Sequence, residues 1–214
     1  MYKAVFVSLR LAIGIGLLGS VAWQVTDRLA NNLFRPYEYF AYFSIVTSIF
    51  AGVVALVSAF YLASDRAETK FLNIARLSLA AAMVIVGVVY HALLADAAND
   101  VRDGDYAWPV LPNEIIHTYA PILVALEYLI ALRSPVLRLR AALWVTVFPL
   151  AWLGFSIIRG LATDWWPYWF INPNSEGGIG SMLIYVSAIT VFFITMGYLL
   201  HAVRLGLGKL VKTS

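Results

Sequence analysis

Six apolar runs, each close to the ~20 residues that cross a hydrocarbon core, dominate this chain and leave it little choice of architecture. They cover residues 4–25, 37–62, 71–96, 113–132, 141–160 and 181–204. Inside a bilayer the backbone must satisfy its own polar groups, so runs of this length fold as helices. Composition agrees. Of 214 residues, 62% are hydrophobic and 13% charged, and the mean hydropathy is +0.81, whereas soluble domains carry about a quarter charged residues. The expected fold is all-α: a polytopic integral membrane protein with six transmembrane helices in one domain over residues 1–214. The opening Met1-Tyr2-Lys3 could lead a signal peptide. Arg10 interrupts the apolar stretch and no small-x-small cleavage site follows, so 4–25 is read as the first span.

The charges sort by side. Lys3, Arg66, Lys70, Arg133, Arg138, Arg140, Arg204, Lys209 and Lys212 fall at one end of the predicted spans, and Arg28, Arg35 and Arg102 at the other. By the positive-inside rule both termini are cytoplasmic, and the hydrophobic lengths suit a plasma membrane. The net charge of +3 therefore reports topology and not nucleic acid. The tail from Leu205 to Lys212 reads as a basic surface anchor. There is no cysteine, which excludes disulfides, thiolate-held metals and thiol catalysis. Trp108, Trp144, Trp165, Trp166 and Trp169 lie near predicted boundaries, where an indole can be half wet. Ser44, Ser48, Gly52 and Ala55 form a stripe of small residues on span 2, a pattern that serves internal packing and homo-oligomers alike.

With the spans oriented, several polar groups share a depth. His117 lies about 6 Å and Ser44 about 10 Å below the extracytoplasmic end of their spans, at 1.5 Å per residue. Gln24, Tyr90, His91 and Arg159 occupy the last outer turns of spans 1, 3 and 5, while His201 lies at the cytoplasmic end of span 6. A histidine within hydrocarbon is a functional candidate by default. Asn113 and His117, four residues apart, stack on one helix face, so Asn113 either orients the imidazole or caps the helix. Pro121 removes the amide that would pair with the carbonyl of His117 and so bends span 4. Glu127, deeper still, suits a buried hydrogen-bonded or ion-paired role.

Asn113, His117, Thr118, Pro121 and Glu127 resemble the N-x-x-x-H-T…P…E pattern of the six-span androgen-induced-gene family. Two other segments are similar to that family's motifs: Tyr42-Phe43-Ser44-Ile45-Val46-Thr47-Ser48, and Trp166-Pro167-Tyr168-Trp169-Phe170-Ile171-Asn172-Pro173. Tyr90-His91 resembles its bacterial branch. Animal members of the family hydrolyse fatty acid esters of hydroxy fatty acids with a threonine nucleophile on span 2 and a histidine on span 4. The resemblance implies that Ser44, a serine in place of the threonine, and His117 hold those positions here.

The resulting expectation is an intramembrane hydrolase of lipid esters that works without metal or cofactor, taking its substrate from the membrane lipids around it. Ser44 is the nucleophile, His117 the base and Asn113 its orienting group. Tyr90 and His91 line the site, with Arg159 or the indoles of Trp166 and Trp169 holding a carboxylate or oxyanion. Two rivals stand beside it. One is a metal-assisted hydrolase using His91, His117 and an outer carboxylate. The other is a non-enzymatic lipid carrier or scaffold.

Overall fold

The computed structural model describes residues 2–97, 100–131 and 137–213, with side chains to residue 210. Arg133 and the end of the fourth predicted run lie outside the described residues. Eight α-helices carry the fold: α1 (Tyr2–Ala30), α2 (Pro36–Tyr39), α3 (Phe43–Ala63), α4 (Lys70–Val89), α5 (Val110–Glu114), α6 (Ala120–Ile130), α7 (Val147–Thr163) and α8 (Gly178–Thr213). No strand occurs among the described residues. Among the described residues five helices are long and apolar enough to cross a membrane: α1, α3, α4 with its following turn, α7 with its preceding turn, and α8. The chain is thus a multi-pass membrane protein. The fourth run folds as α5, a π-helical turn and α6, continuous from 110 to 130.

Local chemistry sets the ends. After α1 and α3 the chain turns through the left-handed region at Asn32 and Asp65. Leu33 N–H then reaches back to the Arg28 carbonyl at 2.8 Å, and Arg66 N–H to that of Tyr61 at 2.9 Å, the six-to-one bond that closes many helices. Thr69 caps α4 by accepting from the Leu72 amide at 3.1 Å. Span 2 starts later than the sequence suggests. Pro36 begins only a single turn, and α3 itself begins at Phe43. The tail read as a basic surface anchor is helical, a continuation of α8, which runs to Thr213.

Two prolines, Pro121 and Pro149, interrupt regular geometry. Pro121 has no amide to give the His117 carbonyl, and the helix widens into a π-helical turn over Ile115–Tyr119 just before it. Gly87 on α4 accepts this bulge; a β-carbon there would lie 3.1 Å from the Pro121 ring and 3.3 Å from the His117 carbonyl. Pro149 acts likewise on the Val145 carbonyl, and Leu139–Thr146 winds as a 3₁₀-helix ahead of α7. A second π-helical turn, Tyr90–Leu94, ends α4.

α4 is the central post. Leu77, Ala80, Ala81, Ala82 and Met83 are wholly buried, and two hydrophobic clusters meet on this helix: one with α1 and α3, the other with α6 and α8. Packing between α1 and α3 is close because Gly14 and Gly52 face each other, each leaving too little room for a β-carbon. Here the small residues of span 2 serve internal packing. By contrast α7 and α8 keep most of their surface outward, as lipid-facing helices do.

At the end carrying both termini, the terminal face, two guanidinium and two carboxylate groups are sealed inside. Arg10 pairs with Glu127 and Glu68 at 2.7 Å each, and Arg76 with the same two at 2.7 and 2.8 Å. The quartet ties α1, the 64–69 connection, α4 and α6, and its formal charge is zero. This is the buried ion-pair role expected of Glu127. Nearby, Arg204 donates to Asn73 and to the Ala131 carbonyl at 2.9 Å each. His201 bridges Tyr128 and the Leu137 carbonyl, a structural position far from the other histidines.

At the opposite end, the loop face, carboxylates of α2 and of the connection between α4 and α5 are paired. Asp103 meets Arg28 and Arg35, Asp100 meets Arg35 and Arg102, and Glu38 meets Arg35 and Arg102. Arg28 also lies over the rings of Tyr106 and Trp108 at 5.2 and 4.5 Å. Hydrogen bonds from Arg102 hold the Asp100 carboxyl down at about 2. Burial raises the Glu38 carboxyl, but Arg102 and Arg35 outweigh it and the net shift is downward. Carboxyls depressed in the folded state contribute stability above their unfolded range that is lost as protons return. Thermal unfolding in detergent should therefore be flat above about pH 5 and fall between about pH 4 and pH 2. A midpoint unmoved across that window would show that these loop pairs contribute nothing.

Candidate functional site

Ser44 and His117 line one cavity of about 100 Å³. α3 brings Ser44 from one side, and the π-helical turn before α6 brings His117 from another. Tyr90 comes from the end of α4, and Tyr168 from the 164–177 connection. The remaining wall is largely apolar and is built by α4, α7 and α8, with Val86, Leu153, Ile189 and Phe193 among its residues. The hollow lies where the two proline-distorted stretches leave the helices less closely packed, and Thr146 and Pro149 are part of its wall.

The imidazole is held in one orientation. His117 Nδ1 lies 3.0 Å from the Asn113 carbonyl oxygen. A carbonyl can only accept, so Nδ1 carries the proton and Nε2 of the neutral ring is the basic nitrogen. Tyr90 stacks on the same ring, with centroids 4.1 Å apart and planes 20° apart. The Asn113 side chain donates to the Tyr90 hydroxyl at 2.7 Å. Asn113 thus acts twice: its backbone fixes the tautomer, and its amide fixes the tyrosine that covers the ring. Sequence reasoning offered Asn113 as an orienting group or a cap, without this division of labour.

Ser44 is shallower than spacing along an unbroken span implies. Because α3 begins at Phe43, Ser44 is in its first turn, among amides that have no partner within the helix. Its N–H donates to the Tyr168 hydroxyl oxygen at 3.4 Å. Loss of water around that phenol pushes its pKa up to about 12, so it keeps its proton. A helix N-terminus also carries partial positive charge. A hydroxyl at this place has both a neighbouring O–H donor and a favourable field for developing negative charge. Ser44 and His117 make no direct hydrogen bond among the described residues; they share the cavity across a gap.

The other expected residues lie off this wall. His91 sits just outside it, with Nε2 3.0 Å from the Thr118 hydroxyl and its ring edge-on to Tyr90. Arg159 is spread over the Trp165 ring at 4.2 Å and donates to that residue's carbonyl at 3.4 Å. Trp166 packs on Gly160, where a β-carbon would fall 2.6 Å from the indole. Trp169 donates to the Leu93 carbonyl at 3.5 Å and faces a second hollow. The aromatic loop supplies Tyr168 to the cavity instead. Its backbone is extended, which turns residue 168 inward between neighbours that point elsewhere, and its ring stacks on Phe170 at 5.1 Å. The motif named the loop; only its conformation selects the tyrosine. Among the described residues, no group of three or more histidine, aspartate or glutamate side chains could hold a metal ion.

No family model, curated protein or solved structure matches this chain. The fold and cavity define it as a multi-pass helical membrane protein with the Ser44 hydroxyl, an imidazole, two phenols and two carbonyl-bonded threonine hydroxyls around a mostly apolar hollow.

Proposed function

We propose that this chain is an intramembrane hydrolase of lipid esters, with Ser44 as nucleophile and His117 as base. What supports the reading is the cavity that Ser44 and His117 share, apolar over most of its wall, with Tyr168 beside the one and Tyr90 on the other. An acyl chain suits the apolar part, and the ester carbonyl then lies between Ser44 and His117. His117 Nε2 takes the Ser44 proton, directly or through one water, as Oγ attacks the carbonyl carbon. Unliganded enzymes often show such catalytic contacts longer than they are during reaction. The Tyr168 hydroxyl and the first-turn amides of α3 stabilise the negative oxygen of the tetrahedral state. The proton on His117 then passes to the departing alcohol. Water, deprotonated by the same imidazole, cleaves the acyl-serine and releases the fatty acid.

The resemblance of spans 2 and 4 and of the aromatic loop to the androgen-induced-gene family supports the same reading and suggests fatty acid esters of hydroxy fatty acids or similar lipids as substrates. The topology that goes with it counts the continuous helix from 110 to 130 as a sixth crossing. Both termini are then cytoplasmic in the plasma membrane, which puts the cavity in the outer leaflet. The test is turnover of a long-chain ester by the purified protein: wild type hydrolyses it, and Ser44→Ala does not. Tight lipid binding with no turnover in wild type would favour a carrier, the reading that the apolar wall alone supports.

A further inference from the structure

A hydrolase sunk in hydrocarbon must bring water to its nucleophile, and the cavity wall limits where water can enter. On the side of α7 and α8 the wall is mostly apolar, with the Thr146 and Thr190 hydroxyls bonded to their own helix carbonyls, and its helices face outward; Leu150 at the lining is itself half exposed. That side offers lipid. A second hollow of about 340 Å³ lies at the loop face, walled by residues 91–97 and Trp169. His91 and Asp96 make it polar, and both are exposed.

Leu94 lines both hollows. It closes the π-helical turn whose five-residue ring is sealed by the Ala95 amide on the Tyr90 carbonyl at 2.8 Å. The wall continues through adjacent residues of the aromatic loop. Trp169 faces the polar hollow and Phe170 the inner cavity, while the Trp169 indole anchors to the Leu93 carbonyl. One leucine side chain, set in a turn wider than an α-helix and flanked by a tethered indole, therefore stands between a polar basin and the inner cavity.

We propose that the hollow at His91, Asp96 and Trp169 supplies the reaction's second substrate, water, and that Leu94 is the partition it must pass to reach Ser44. This rests on the hydrolase reading for its purpose, but the route itself can be observed without any turnover. The leucine keeps bulk water from the apolar wall while its small cross-section lets single molecules by. A larger side chain at 94 closes the route, and a smaller one widens it.

The natural absence of cysteine makes the test direct. Ser44→Cys in the full-length chain, reconstituted in lipid vesicles, is treated with a small cationic methanethiosulfonate added to the water phase. Only a hydrated thiolate reacts quickly, and each unit by which an apolar surrounding raises the thiol pKa lowers the thiolate about tenfold. Ser44→Cys should be modified, about tenfold or more slowly with Leu94→Trp added, and faster with Leu94→Ala added. Val101→Cys, on the exposed loop face, should react alike in all three Leu94 backgrounds and reports reagent and vesicles. Equal Ser44→Cys rates with leucine, tryptophan and alanine at 94 would overturn the route, as would no modification even with Leu94→Ala. If Leu94→Trp does not fold, the Leu94→Ala acceleration decides alone. Gating of Ser44→Cys in a protein that hydrolyses no ester would leave the route standing and remove the hydrolase. Ester turnover with ungated Ser44→Cys would do the reverse.

Discussion

Glu127→Ala should be the most destabilising single change in the bundle, costing about 3–5 kcal/mol, the scale for breaking a buried ion pair by removing one partner. The reason is what it leaves behind. Arg10 and Arg76 are 3% and 5% exposed, and both lean on the same carboxylate. Without it two guanidinium groups have one carboxylate, Glu68, between them in a place water barely reaches. Burying unpaired charge is what makes such losses large. Glu127→Gln should lie between, because it removes the charge but keeps acceptor geometry for one arginine. Changing all four of Arg10, Glu68, Arg76 and Glu127 to apolar residues should be milder than Glu127→Ala, since apolar replacement of a whole buried ion-pair network is often close to neutral. Thermal unfolding in detergent measures all three. A Glu127→Ala midpoint equal to wild type would mean that the quartet is solvated.

His117→Ala should lower ester turnover by about 10²–10⁴-fold, the range for losing a positioned general base, with the larger share in kcat. The imidazole's place in the argument is geometric. Nδ1 is committed to the Asn113 carbonyl and one face of the ring to Tyr90, so the remaining nitrogen is available to the cavity. Removing it should leave the fold intact, because it gives up one hydrogen bond to the Asn113 carbonyl and one ring stack and strands no buried charge. Asn113→Ala should act more weakly and through Tyr90, as its backbone carbonyl remains. If His117→Ala turned over ester within about threefold of wild type, the assignment of a general base would fail.

Much of this was legible before any coordinates, and the reasons for the rest are physical. The apolar runs gave the long helices because nothing else satisfies a backbone in lipid. His117 and Pro121 announced a distorted turn, since a proline four residues on must free a carbonyl. Glu127 announced a partner, since lone charges are not buried. Its partners Arg10 and Arg76, and the Glu68 they share with it, come from three other segments, and no spacing rule links them. The start of α3 is not legible because the aromatic stretch 37–42 runs into the apolar run with no glycine or proline between them; the break there belongs to Pro36 and to contacts of Tyr39 with Gln24. That shift matters, for it moves Ser44 from helix interior to helix N-terminus. Tyr168 escaped notice because indole donors looked more useful in a tryptophan-rich loop, and the turn of the backbone favoured the phenol.

The central claim is that Ser44 is a nucleophile activated by His117 in a cavity that accepts lipid. Its most direct test is treatment of the purified protein with a long-chain fluorophosphonate, followed by peptide mass mapping of the adduct. The account expects a single adduct on Ser44, lost in Ser44→Ala and strongly slowed in His117→Ala. An adduct on another residue, or labelling that persists undiminished in Ser44→Ala, would contradict it.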